Sequence, residues 1–94
     1  MKNKKTERWV LRLYVSDGST KSVAAFRNLR AICKECLRSP YDLEVVDLLK
    51  HPDRAMRDNI VAIPTLMKMA PEPERRMVGD LSNRSRTLQW LGLT

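Results

Sequence analysis

Hydrophobic and polar positions divide this chain into short segments of different period. From Arg8 to Val15, Trp9, Leu11, Leu13 and Val15 fall on one side while Val10, Arg12 and Tyr14 fall on the other. A period of two predicts a strand with one face in the core. The stretch "SDGST" breaks it, and Ser19 or Thr20 offers a hydroxyl N-cap for a helix that runs to about Leu37, where "SPY" stops it. At about 100° per residue, Phe26, Leu29, Cys33, Cys36 and Leu37 share one arc of that helix. Arg27, Arg30, Lys34 and Arg38 share another.

"DLEVVDLL" (42–49) predicts a second strand, and strand, helix and strand in that order normally form a right-handed parallel unit. Asp53 is positioned to cap a short helix in "HPDRAMRDN". A third strand follows at "TLMKM" (65–69), then the turn "APEPE" and a fourth strand at "RRMV" (75–78), close enough to pair antiparallel with the third. "GDLSN" breaks the chain again, with Ser82 or Asn83 as cap for a last helix whose apolar seam is Leu88 and Leu91. The expected order is βαβαββα, an α/β fold.

A chain of 94 residues has surface enough for one core. The domain is expected over residues 8–94, preceded by a basic disordered tail at 1–7. No apolar run approaches a membrane span, and "MKNKKTERW" leads into no signal-peptide core, so the expected location is the cytoplasm. The net charge of +7 is unevenly placed: residues 1–38 hold ten Lys or Arg against three acids, whereas residues 39–94 hold eight of each sign. Excess charge in one half points to an anionic partner, an acidic protein face or nucleic acid, or else to a solvated surface with a basic tail.

Cys33 and Cys36 form a C-x-x-C. The order of elements resembles the thioredoxin fold, and Ile63-Pro64-Thr65 sits where that fold places a cis-proline. In thioredoxins the C-x-x-C opens the first helix, where free N–H groups and the helix dipole stabilise a thiolate. Here Asp17-Gly18-Ser19-Thr20 hold that place. The cysteines come roughly three to four turns later, on the apolar face, where burial and dipole both raise a thiol's pKa. They read as small core residues. Zinc would want four ligands, and His51 is the sole further N or S candidate, so no metal site is expected. No Walker loop, no G-x-S-x-G and a single histidine leave no catalytic constellation and no expected cofactor.

The stretches "IVAIPTLMKMAPEPERRMVGDLSNR" (60–84), "WVLRLYVSDGSTKSVAAFRNL" (9–29) and "YDLEVVDLLKHP" (41–52) resemble the KaiB family over about residues 8 to 91. The run P-T-L, K, a proline-rich turn, R-R and G-D-L-S is its most specific part. The resemblance implies a non-enzymatic regulator in a circadian, timing or stress-response system. It also implies binding to a KaiC-like ring ATPase and a capacity to interconvert between a thioredoxin-like monomer and a tetramer with an alternative fold. Homo-oligomers, dimer or tetramer, are therefore expected partners alongside the ATPase. Lys68, Arg75 and Arg76 match basic positions of the motif and are the expected partner contacts. Arg27, Arg30 and Lys34 on the first helix form a second candidate surface or simply its wet side.

Pro64, Pro71 and Pro73 are cis-proline or switch candidates, because X-Pro bonds isomerise slowly; alternatively Pro64 fixes the strand entry and the other two make a turn. The turn reads Pro71-Glu72-Pro73 where the family usually has consecutive prolines, Ile63 stands in place of a usual threonine, and the chain ends at Thr94 without the family's common extension. The alternative fold draws its last elements from C-terminal residues, so the tetramer is the less firmly supported part of what the resemblance implies, and the sequence does not decide which fold is the resting one. "PEP" is also similar to the KaiB-like sensor domain of the SasA kinase. From other classes, a thiol–disulfide oxidoreductase using Cys33 and Cys36 is the runner-up, and a basic nucleic-acid module ranks third.

Overall fold

The computed structural model describes residues 7–93, so the basic tail expected at 1–7 lies, apart from Glu7, outside the described residues. The elements follow the expected order: β1 (Trp9–Val15), α1 (Thr20–Cys36), β2 (Tyr41–Asp47), α2 (Pro52–Arg57), β3 (Thr65–Ala70), β4 (Arg75–Val78) and α3 (Arg84–Leu91). The sheet order is β2-β1-β3-β4. Strands β1 and β2 run parallel, Trp9 beside Tyr41 through Val15 beside Asp47, which requires the α1 crossover. β3 is antiparallel to both β1 and β4, with Leu13 beside Leu66 and Lys68 beside Arg75.

The alternation along β1 sorts its side chains between two cores. Trp9, Leu11 and Leu13 pack with Leu66 of β3 against Ala25, Leu29, Ile32 and Cys33 of α1 and Leu91 of α3. Tyr14 faces the other way, joining Val46 and Met67 under Ala55 of α2 and Ile60. The result is a sheet covered by α1 and α3 on one face and by short α2 on the other.

Local chemistry explains the ends. The Ser19 hydroxyl accepts the Ser22 amide, and the Asn83 side chain accepts the Arg86 amide, so these two residues are the caps of α1 and α3. The expected capping of α2 by Asp53 is corrected: His51 occupies the N-cap without a side-chain bond, Pro52 opens the helix with no N–H to satisfy, and Asp53 lies inside the first turn. Phe26 is also corrected. It is 38% exposed, because the buried arc of α1 is centred on Ser22, Ala25, Leu29 and Ile32, and Phe26 lies at its margin with the Arg30 guanidinium 5.6 Å above its ring. β2 closes at Asp47, so Leu48 and Leu49 fall outside it, with Leu48 still buried.

The segment after β4 acts as a latch. Gly79 has φ 126, in the region that favours glycine, and its N–H reaches the Pro64 carbonyl at 2.9 Å. Asp80 Oδ1 accepts the Ser82 amide at 3.0 Å, and the Asp80 carbonyl accepts from Asn28 of α1 at 2.8 Å. Leu81, at φ 61, turns its side chain into the core. A left-handed leucine is tolerated where burial and neighbouring hydrogen bonds over-determine it. The motif G-D-L-S-N thus reads as a chain reversal that seats α3.

Candidate functional surfaces

The start of α1 carries Asp17, Gly18, Ser19 and Thr20, and no thiol reaches it. Cys33 is 3% exposed between α1 and the sheet, and Cys36 is half-buried; both are free. Desolvation pushes the Cys33 thiol up to about 11, with nearby Arg30 opposing the rise and Cys36 adding to it. A reactive cysteine wants the opposite surroundings, exposed and electropositive. Among the described residues, no three of His, Cys, Asp and Glu come together to hold a metal ion. No helix of the described residues is long and apolar enough to cross a membrane.

The expected partner contacts differ in availability. Arg76 is committed to the fold: its guanidinium donates to the carbonyls of Asp58 and Asn59 at 2.7 and 2.8 Å, tying β4 to the end of α2. Asn59 there has φ 57, so the clamp supports a left-handed turn. Lys68 is 4% exposed, and its ammonium lies 5.2 Å from the centroid of the Trp9 ring. Desolvation, then the charge of Arg75, lower its pKa. Arg75 stands opposite Lys68 on β4, is exposed, and has no ion-pair partner among the described residues. Arg27, Arg30 and Lys34 are exposed along α1. The peptide bonds before Pro64, Pro71 and Pro73 are cis.

One charged cluster escaped sequence reasoning. On the α2 face, the Tyr14 hydroxyl donates to Asp58 Oδ2 at 2.6 Å and accepts from Arg12 at 3.2 Å. Arg12 also pairs with Glu44 directly across β1 and β2 at 2.7 Å, and Arg54 of α2 reaches both Glu44 and Asp58. The hydrogen bond from Tyr14 is the largest influence lowering the Asp58 pKa, while Arg54 leads for Glu44. The signal in the sequence was Arg12 and Tyr14 on the side of β1 opposite Trp9, Leu11 and Leu13, which marks polar partners on that second face.

The model of the KaiB domain matches residues 12–93. The circadian clock oscillator protein KaiB of Nostoc is 43% identical over 91 residues, covering 97% of this chain and 84% of its own length. The protein of the same description from Thermosynechococcus vestitus is 45% identical over 85 residues, covering 90% and 79%. Among solved structures, the N-terminal domain of Synechococcus elongatus SasA superposes with a TM-score of 0.63 at 23% identity, covering all of this chain and 92% of that one. Fasciola hepatica thioredoxin gives 0.69 at 16% identity, covering 98% and 86%. Those two likenesses establish the fold, which is thioredoxin-like. With the domain match spanning the sheet and all three helices, and relatives above 40% identity along nearly the whole chain, this protein belongs to the KaiB family.

Proposed function

We propose that this chain is a non-enzymatic KaiB-type regulator that docks on a KaiC-like ring ATPase. The observation that carries the reading is family membership across residues 12–93, with relatives described as circadian clock proteins. Two features of the molecule support it. The site where a thioredoxin holds its reactive thiols is occupied here by Asp17-Gly18-Ser19-Thr20, and Cys33 is buried with a raised pKa. Exposed cations, Arg75 on β4 and Arg27, Arg30 and Lys34 on α1, offer attraction to an acidic protein face. Of the motif cations, Arg75 is the proposed contact, since Arg76 is held by backbone carbonyls and Lys68 is buried.

The test is to mix the purified chain with the KaiC-like ATPase of the same organism, with ATP and with ADP, and read mass by size exclusion with light scattering. The expected result is a nucleotide-dependent complex. Absence of a complex with either nucleotide, at low as well as moderate salt, would refute the reading. The same elution profile reports whether the chain alone is a monomer, dimer or tetramer.

A further inference from the structure

At the end of the sheet where β1 begins and β3 ends, a half-open hollow of about 720 Å³ lies between the end of α1, the Pro71–Pro73 turn and the end of α3. Its apolar wall includes both tryptophans of the chain, Trp9 and Trp90, with Leu37, Leu91 and Leu93. Lys68 and Arg75 line it together. They stand directly opposite one another in the β3–β4 register, hence on the same face of the sheet, where facing side chains are about 5 Å apart at Cβ. Like charges so placed repel and destabilise a sheet.

The usual remedy, a carboxylate from the chain itself, is missing among the described residues. Glu7 and Glu72 also line the hollow, yet neither comes within ion-pair distance of Lys68 or Arg75. Most of the Lys68 side chain is covered, and its ammonium, beside the Trp9 ring, meets solvent only through the hollow. Among the described residues the ammonium and the guanidinium therefore have no ion-pair partner, and they stand, with Arg38 also on the lining, at the edge of a hollow that carries both tryptophans on its wall. Cations converging beside an apolar wall, in a hollow whose lining is otherwise mixed with polar groups such as Arg38, Ser39 and Gln89, can fix the charged end of a small ligand while the wall takes its body.

We propose that this hollow binds a small organic oxyanion, a carboxylate on a compact apolar or aromatic body, with Lys68 and Arg75 taking the oxygens and the tryptophan-lined wall taking the body. The guanidinium fork suits a planar carboxylate, and the ammonium supplies a second, point-like charge. Binding would neutralise the repulsion across β3 and β4 and complete the surroundings of Lys68. The site needs no ring ATPase, so its fate is separate from that of the proposed docking function.

The experiment uses the full chain alone, at low ionic strength, with phenylacetate as probe and uncharged phenylacetamide as control. The two indole N–H signals in a nitrogen–proton correlation spectrum report directly from the cavity wall. The expected result is a saturable shift of the Trp9 signal with phenylacetate, at about the millimolar affinity a ligand of that size reaches, and none with the amide. Arg75→Gln, at an exposed position, should weaken binding about tenfold, and Lys68→Met by at least as much. The absence of a saturable shift with phenylacetate, equal binding of the amide, or unchanged affinity in Arg75→Gln would each overturn the proposal. Arg75→Gln keeps the test decisive even if Lys68→Met fails to fold.

Discussion

Cys33 should be a slow thiol, and the rate follows from the structure. With its pKa pushed up to about 11 from 9.0, its thiolate fraction at neutral pH falls by about 100-fold. The more basic thiolate is also the better nucleophile, which returns about eightfold for a two-unit rise, so protonation alone leaves a deficit of about tenfold. Access sets the larger limit, and the two are not multiplied, because opening the helix also relieves the desolvation. At 3% exposure the sulfur is unreachable along α1's packed face, and a reagent must wait for α1 to separate from the sheet. An opening that costs about 3 kcal/mol, below the global stability of a typical domain, slows labelling about 150-fold. The assay is the reaction of Cys36→Ser with an aromatic disulfide reagent at neutral pH, native against guanidinium-unfolded. We expect at least about 100-fold slower labelling in the native chain. Native labelling within tenfold of the unfolded rate would refute both the burial and the argument that this C-x-x-C is core.

The α2-face network gives two stability predictions. Tyr14→Phe removes the 2.6 Å bond to Asp58 and should cost about 1–2 kcal/mol in urea unfolding, or several degrees of Tm. Because the Asp58 pKa is lowered in the folded state, first by Tyr14, its contribution is full above its unfolded value near pH 4 and is lost as pH falls through the folded value. The acid limb of a stability–pH profile should therefore be shallower in Tyr14→Phe than in the parent; an identical limb would contradict the assignment. Arg76→Ala frees the Asp58 and Asn59 carbonyls to water and should cost about 1 kcal/mol, below the usual range for charged hydrogen bonds because the side chain is exposed. An unchanged urea midpoint would show the clamp to be idle.

The order of elements was legible because each boundary carries its own chemistry: Ser19 and Asn83 as caps, Gly18 and Gly79 at positive φ, and the period of two along β1. Phe26 was misplaced because a wheel assigns an arc but cannot locate its centre. Ser22 and Ala25, small enough to approach the sheet, set that centre, leaving the larger ring at the margin. The Asp53 cap failed for a related reason, since Pro52 satisfies the first position of α2 by lacking an N–H. The surface chemistry was less legible still. Three motif cations look alike in sequence, yet one lies under a tryptophan, one clamps a helix end and one faces solvent, differences that arise only when β3, β4 and α2 are brought together. The relation of Lys68 to Arg75 needs the strand register, which no local pattern contains.

The most direct measurement is the affinity of the chain for the KaiC-like ATPase of its own organism, compared between the parent and Arg75→Glu at two salt concentrations. The account predicts a complex that weakens about tenfold on charge reversal and further as salt rises. A complex whose affinity is indifferent to both changes would contradict the basic docking surface, and no complex at all would contradict the regulatory reading itself.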